Sequence, residues 1–481
     1  MSQISWDENS LQRAVDWMRP LPNLLCVLSD LEPDPESGAS FPSVWQQFAT
    51  NHASTLQSGV DLRQGKLVAE CSRVLALVQK LPVDTIARAI DGIAEWLSAW
   101  RREVVKLPDY QAVWQRLWPL AVAATNAQQD VTDAVDLNRI APTADDREPL
   151  DLDTLNTPAG KLVGVFLEAC FQVEPAAHPF HTDAKLLAMR DTVMDVRGRT
   201  AVIVRHRLIE RLPYFLAADQ QWTQEHLITP LKSQSIEALA LWRAIARQTQ
   251  FFDVLSILGS EMAERVISRD VGRESRQSLV FSLMVECLWA LQDQREPAVP
   301  YLRIQQTLRR LDDEVRAYAA DAIRRFVSDV PATPEGKERS LTPENVFHGS
   351  AAPLLEHVWP PERSLATPGV SKALARLPAA SGEAFADAVK AIERFLLPFD
   401  CWSMLDYGLY GEKEGEARLA IIDNQTKALA LLLLLDRTVG TSESAVIPYD
   451  LTTALDQVEQ AAAQLAGSSV FRRLATAARR A

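Results

Sequence analysis

Glycine, cysteine and long apolar runs are all scarce in this sequence. Glycine makes up 18 of 481 residues, below the roughly 7% that is usual in proteins. The five cysteines are single and odd in number, which fits neither a disulfide framework nor a CxxC metal site. The longest apolar run, residues 428–435, is far shorter than the ~20 residues needed to span a bilayer. We therefore expect no disulfide scaffold and no membrane partner, with residues 428–435 forming a buried helix.

Signals for export and for bulk binding of anions are also lacking. Residues 1–12 have neither the basic region nor the apolar region of a secretory signal, which predicts a cytoplasmic protein. The 50 Lys and Arg residues face 63 Asp and Glu residues, so the formal net charge is -13. A chain of this sign is not drawn by its overall charge to nucleic acid or to anionic lipid.

Glycine-rich phosphate loops and catalytic motifs are missing. Gly160 and Lys161 are followed by Leu162 and have no glycine at the upstream position of a GxxxxGK[ST] loop. Gly408, Gly411 and Gly415 have the wrong spacing for a GxGxxG fingerprint. The sequence contains no GxSxG elbow and no HExxH motif. We expect no catalytic residue and no cofactor, and we predict that the chain is not an enzyme.

One short segment has the residue types of a metal site. His178, His181 and Asp183 lie within six residues, and two imidazoles and a carboxylate can share one ion. Pro179 indicates a loop, so the alternative is a polar turn between helices. No further His or Cys lies nearby in the sequence to complete four ligands. We expect no metal here and keep a metal-dependent enzyme as a third hypothesis.

Helical periodicity dominates what is present. Apolar residues follow one helix face from Ile86 to Trp100, again from Ile304 to Phe326, and again from Leu451 to Leu465, where Gly467 provides a C-terminal cap. Most tryptophans keep the same spacing from other apolar residues, which predicts that they pack in the core. Alternating β-branched runs are nearly lacking. The sequence therefore predicts an all-α protein.

The helices are expected to form either an irregular HEAT-like solenoid or compact helical domains, because periodicity alone does not separate these shapes. Proline-rich and acidic breaks predict the domain boundaries. We place an N-terminal helical domain at residues 1–126, an acidic linker at 127–160, a central helical domain at 161–328, a second linker at 329–345 and a C-terminal helical domain at 346–481.

The most basic stretch of this acidic chain is residues 185–211, where seven Lys and Arg residues face three acidic ones. On a helix, these cations can form a ridge that grips phosphate. The alternative is a solvated helix face whose arginines pair with the acidic linker that precedes the segment. The candidate contacts for phosphate or for a partner are Arg197, Arg199, Arg205, His206, Arg207 and Arg211.

Short motifs over residues 155–475 carry a family resemblance. In order along the chain they include LNTPAGK at 155–161, LPYFL at 212–216, LWR at 241–243, VWP at 358–360 and FRRL at 471–474. This part of the chain resembles the uncharacterised helical domain found C-terminal to sirtuin-like NAD-hydrolase domains in bacterial antiphage defence proteins. The sirtuin-like domain, with its glycine-rich cofactor loop, is missing here.

The resemblance implies a non-catalytic scaffold or sensor subunit of a bacterial defence system, which binds a phage trigger or regulates a separate effector enzyme. Protein partners are then expected, including an effector enzyme encoded nearby. The alternative is a nucleic-acid-binding accessory protein of a defence complex that uses the basic segment 185–211.

Overall fold

The described residues form an all-α structure, as the sequence predicted. The computed structural model describes residues 45–46, 64–127, 156–409, 418–442 and 444–479, and over these ranges it contains helices, turns and no β-strand. The helices of eight or more residues are α1 (Gln64–Lys80), α2 (Ile90–Ala99), α3 (Tyr110–Ala127), α4 (Pro158–Phe171), α5 (Ala184–Met194), α6 (Arg199–Ile209), α7 (Ile236–Ala246), α8 (Phe252–Arg265), α9 (Arg273–Gln292), α10 (Tyr301–Arg310), α11 (Asp313–Asp329), α12 (Pro368–Ala375), α13 (Phe385–Ile392), α14 (Gln425–Thr438), α15 (Leu451–Ala461) and α16 (Ser469–Ala478).

Shorter helical turns connect these helices. The short α-helices are Val83–Arg88, Arg101–Val104, Pro179–Thr182, Leu212–Ala218, Gln220–Thr223, Thr229–Leu231, Pro334–Glu338, Pro343–Val346 and Leu377–Ala380. Three π-helical turns occur in the described chain, at Gln224–Ile228, Phe347–Ala351 and Leu354–Val358. None of the described helices has both the length and the apolarity required to cross a bilayer.

Side-chain caps explain where several helices begin. Thr157 accepts a hydrogen bond from Gly160 N and is followed by Pro158, so α4 starts with a favoured cap and a favoured first residue. Asp183 caps α5, Asn424 caps α14 and Ser468 caps α16 in the same way. Each cap satisfies backbone N–H groups that the first helical turn leaves without a partner.

The first apolar ladder is buried as expected, but its backbone is not one helix. Ile86, Ile90, Ile93, Leu97 and Trp100 are all at most 2% exposed. The short helix Val83–Arg88 is followed by Ala89, where φ is -107° and ψ is 15°, and α2 begins at Ile90. A small turn therefore interrupts the helix while the apolar face stays continuous.

The second ladder also divides into two helices, α10 and α11. Leu311 has an extended backbone, and Asp312 accepts a hydrogen bond from Val315 N as the N-cap of α11. Apolar spacing did not reveal this break because the ladder continues across it. Asp312, which lies within the span of the ladder, marks the start of a new helix.

Most of the described tryptophans pack in the core, as the spacing predicted. The buried ones are Trp45, Trp96, Trp100, Trp114, Trp118, Trp242 and Trp359. Trp96 and Trp100 stack with ring centroids 6.1 Å apart, and Trp114 and Trp118 stack at 5.1 Å. Trp402 differs, since it is 69% exposed.

The chain divides into two compact units, residues 1–244 and 245–481. The division falls within α7 and coincides with neither of the two linkers expected from the sequence. Residues 156–160, at the end of the expected acidic linker 127–160, belong to the start of α4, and residues 128–155 lie outside the described chain. The expected linker 329–345 contains the helices Pro334–Glu338 and Pro343–Val346 inside the second unit.

In the first unit, α4 is the central helix. It packs against α2, α3, α5 and α6, and most of its residues are buried. Trp114 Nε1 of α3 donates to Leu162 O at 3.0 Å, and Ala159 N donates to Thr125 Oγ1 at 3.1 Å. These contacts place described residues of the expected domain 1–126 in one core with the first part of the expected domain 161–328, whose residues from 245 onward belong to the second unit. One helix surrounded by several others is a compact arrangement.

In the second unit, α11 has the central position. It packs against α9 and α12 and against the short helices Pro343–Val346 and Leu377–Ala380. The guanidinium of Arg276, on α9, lies 2.6 Å from Asp312 Oδ2, and its Nε donates to Val266 O at 2.7 Å. An ion pair thus holds the cap of α11 to α9.

Candidate functional site

The basic segment does not form the continuous ridge that helical spacing suggested. His206 is 0% exposed, so it does not share a solvent face with Arg199. Arg205 Nη1 lies 2.5 Å from Glu237 Oε1, and Arg207 Nη1 lies 2.8 Å from Glu210 Oε2. These two arginines have internal acidic partners, although neither partner lies in the acidic linker 127–160 that the alternative interpretation named.

The remaining predicted contacts lie at the two ends of α6. Arg211 is exposed, and its guanidinium lies over the ring of Phe171 at 5.6 Å. Arg197 is also exposed, and its carbonyl oxygen accepts a hydrogen bond from Asn126 Nδ2 at 3.3 Å. Arg199 is the first residue of α6 and is partly exposed. The structure therefore does not bring the six residues together as one surface.

A neighbouring arginine of the segment, Arg190, is part of the core. Its guanidinium lies between the rings of Phe180 and Trp222, at 4.8 and 4.5 Å from their centroids. Its Nη1 donates to Asp219 Oδ2 at 2.8 Å. Burial alone would raise the pKa of Asp219, but the hydrogen bond from Trp222 N and the pairing with Arg190 lower that pKa below its ordinary value. This pair stabilises the first unit.

The residues of the metal hypothesis have other contacts. His178 Nδ1 is 3.3 Å from Ala218 O, and His181 Nε2 is 3.8 Å from Asp219 Oδ2. Asp183 Oδ1 accepts from Lys185 N at 2.7 Å as the cap of α5. Within the described ranges, no group of three or more His, Cys, Asp or Glu side chains is arranged to hold a metal ion.

The glycines that fail to match a phosphate-loop motif either have a structural role or lie outside the described residues. Gly160 is buried in the first turn of α4, and Lys161 Nζ lies 2.5 Å from Glu95 Oε2. Gly408 has a φ of 73° and ends the turn Met404–Tyr407, where a residue without Cβ is favoured. Gly411 and Gly415 lie outside the described residues.

Four of the five thiols are buried, and Cys26 lies outside the described residues. Burial raises the pKa of Cys170 and of Cys287 far above the ordinary range, and it raises the pKa of Cys401 to about 12. Because the thiolate is the reactive form, these three thiols are poor nucleophiles at neutral pH.

An open groove lies among the described residues of the second unit. Its volume is about 910 Å³, near the upper end of the ~300–1,000 Å³ range of ligand pockets. The π-helical turns Phe347–Ala351 and Leu354–Val358, the turn Arg363–Leu365, α13, the turn Glu393–Phe395 and the end of α14 all contribute to it. The side chains that line it are Phe347, His348, Ala352, Leu355, Glu356, Arg363, Asp387, Lys390, Ala391, Glu393, Arg394, Leu396, Leu397, Pro398, Asp436 and Arg437.

The two π-helical turns position one side of this groove. Trp359 N donates to Leu354 O, five residues earlier, at 2.8 Å. Pro353 has no N–H of its own to donate, so the regular helical ladder is interrupted just before the second π turn. Such wider turns occur frequently at functional sites. They place Phe347 and Leu355, each 1% exposed, beneath the groove.

Charged side chains of both signs surround this apolar floor, and several are paired. Arg437 Nη2 lies 2.8 Å from Glu393 Oε1, and Arg473 Nη2 lies 3.0 Å from Asp436 Oδ1. His348 Nε2 is 3.6 Å from Asp387 Oδ2. The carboxylates of Glu393 and Asp436 are thus matched by cations of this chain.

Three exposed cations of the groove have no such match. In the part of the chain that the structure describes, Arg363, Lys390 and Arg394 form no ion pair with a carboxylate. Arg394 lies over the ring of Phe395 at 4.6 Å, and its Nη2 donates to Leu355 O. The groove therefore combines an apolar floor with a cationic wall.

Sequence reasoning missed this groove. Its lining comes from segments between residues 347 and 437, which only tertiary packing brings together. The one local signal was the spacing of Lys390 and Arg394, which places like charges one turn apart on an amphipathic segment.

Comparisons of the chain with protein-family models, with curated proteins and with solved structures found no match in any of the three cases.

Proposed function

We propose that this chain is a helical scaffold or sensor subunit that works by binding another protein, in a bacterial antiphage defence system. The family resemblance of residues 155–475 supplies the biological setting. The groove of the second unit is the observation that carries the binding role. Its size, its openness and its mixture of apolar floor and charged walls are properties of surfaces that hold a segment of a partner protein.

The partner has two forms under this proposal. It is a phage-derived trigger that the subunit senses, or it is an effector enzyme, encoded nearby, that the subunit restrains until infection. In both forms the subunit acts by binding and the chemistry belongs to the partner. We infer that it does so in the cytoplasm, where either partner would be met.

A bulky side chain placed in the groove tests the proposal. Ala391 lines the groove on α13 and is partly exposed, so Ala391→Trp fills part of the space. The matched control is Ala386→Trp, because Ala386 lies on the same helix, is also partly exposed and does not line the groove. Each variant is expressed with its native gene neighbours and challenged with phage.

We expect Ala391→Trp to lose both phage protection and a stoichiometric protein partner, measured by affinity purification and mass spectrometry. Ala386→Trp keeps both. A chain that purifies without a partner, and whose deletion leaves phage resistance unchanged, would contradict the proposal. The ratio of absorbance at 260 and 280 nm of the same preparation reports any bound nucleic acid.

The alternative function, nucleic-acid binding through residues 185–211, has less support. Arg205 and Arg207 are held by Glu237 and Glu210, and His206 is buried, so few charges of the segment are left for phosphate. Its test is salt-sensitive DNA or RNA binding that weakens when Arg199, Arg205 and Arg207 are replaced by Glu.

A further inference from the structure

We infer that the groove of the second unit binds an acidic peptide segment of the partner protein, with carboxylates against Arg363, Lys390 and Arg394 and apolar side chains on the floor. This inference rests on the proposed function, because it names the chemistry of the partner that the scaffold would hold.

The three cations lie on one wall of the groove. Lys390 is near the end of α13, and Arg394 follows four residues later in the turn Glu393–Phe395. The turn Arg363–Leu365 packs against that same turn. Two segments distant in sequence thus bring positive charge to a single place.

Charge complementarity indicates an anionic occupant. The other cations at or beside the groove, Arg437 and Arg473, have carboxylate partners at 2.8 and 3.0 Å. Arg363, Lys390 and Arg394 are exposed and have none among the described residues. Like charges collected in a concave, partly apolar site repel each other and attract an anion more strongly than scattered surface charges do.

The rest of the lining favours a peptide over nucleic acid. Glu356 and Asp387 also line the groove, and their recorded partners are histidines rather than arginine or lysine. A polyanionic backbone would pass close to these two carboxylates. A peptide can place its few carboxylates only at the cationic wall. It also supplies apolar side chains that can cover Ala391, Leu397 and Pro398, which line the groove and are at least partly exposed, and burial of apolar area stabilises binding.

Labelled synthetic peptides provide the test on the full-length protein. The probes are ten-residue peptides that combine leucine with two or four glutamates, and matched peptides with glutamine in place of glutamate. Binding is measured by fluorescence anisotropy, with a single-stranded oligonucleotide as the competing anion. We expect the glutamate peptides to bind at least about tenfold more tightly than the glutamine peptides, a difference equal to about 1.4 kcal/mol.

Charge reversal locates the binding site. Arg363→Glu with Lys390→Glu should weaken binding of the glutamate peptides at least tenfold. Lys337→Glu with Arg472→Glu is the control, because it makes the same change in net charge at exposed residues outside the groove. Circular dichroism and the melting temperature check that both variants are folded.

Equal binding of glutamate and glutamine peptides, binding unchanged by Arg363→Glu with Lys390→Glu, or an oligonucleotide that binds the groove in preference to the peptides would each overturn the inference. These readouts are separate from phage protection. If Arg363→Glu with Lys390→Glu abolished peptide binding but the protein partner still bound in the groove, only the acidic character of the partner segment would be refuted. If the protein purified without a partner and deletion of its gene left phage resistance unchanged, the scaffold role itself would be refuted.

Discussion

Arg190, whose guanidinium lies over the rings of Phe180 and Trp222, forms a 2.8 Å ion pair with Asp219. Both side chains are largely buried, at 8% and 12% exposed. The same aspartate caps the helix Gln220–Thr223 through Trp222 N. Asp219 thus both caps a helix and pairs with the buried guanidinium of Arg190.

Replacing Asp219 by Asn is expected to destabilise the first unit by about 3 kcal/mol, because the buried guanidinium of Arg190 then keeps only the exposed Asp191, at 3.3 Å, as a counter-charge. Asn is as good an N-cap as Asp, so the change isolates the ion pair. Urea denaturation measures the free energy of unfolding. Asp183→Asn is the matched control, a cap without an arginine partner, and it should change stability little. An equal loss in both variants would contradict this explanation.

The stability contributed by Asp219 should depend on pH in a defined direction. Its pKa is lower in the folded state than the ordinary value of 3.8, so its contribution is present above that value and is lost as pH falls through the lowered pKa. The difference in unfolding free energy between wild type and Asp219→Asn should therefore shrink below about pH 4. A difference that is constant from pH 7 to pH 2 would show that the charge plays no part.

Asp312 performs the corresponding role in the second unit. Replacement by Ala removes the N-cap of α11 and the 2.6 Å contact with Arg276, which is 6% exposed. We expect a loss of about 2–4 kcal/mol from the cap and the buried charge together. Asp312→Asn should retain the cap portion and lie between Ala and wild type in thermal unfolding. If Asn and Ala were equally destabilising, the cap would contribute nothing.

The buried thiols should resist alkylation in the native protein. Cys170, Cys287 and Cys401 have raised pKa values and little exposure, so at pH 8 almost none of each is the thiolate. Iodoacetamide followed by peptide mass spectrometry should label these three sites only after denaturation. Rapid native labelling of Cys401 would show that its segment opens readily.

A charge swap tests the position of Arg205. Arg205→Glu alone faces Glu237 and should destabilise the first unit, whereas Arg205→Glu with Glu237→Arg should recover part of the loss. The pair is 30% and 37% exposed, so the expected coupling is modest, about 0.5–1 kcal/mol. A double-mutant cycle by urea denaturation measures it. Zero coupling would mean that Glu237 does not hold Arg205, which would then be available to bind an external phosphate.

The all-α class could be predicted from spacing because helix formation is governed largely by local periodicity. The buried faces of the helices were also predictable, since the apolar ladder residues between Ile86 and Trp100 are buried. The interruptions at residue 89 and at Leu311 were not, because an apolar ladder can continue across a short turn. The two-unit division was missed for a related reason, since α4 packs on helices that precede the acidic segment.

The sequence by itself determined the helical class and the buried faces, since these depend on residues within one or two turns of each other. The C-terminal cap expected at Gly467 was wrong, because α15 already ends at Ala461. Only the tertiary structure decided which charges are available. It enclosed His206 and Arg190, paired Arg205 and Arg207 with carboxylates, and left Arg363, Lys390 and Arg394 exposed around one groove. Pairing and burial of a charge depend on residues distant in sequence, so composition and spacing do not reveal them.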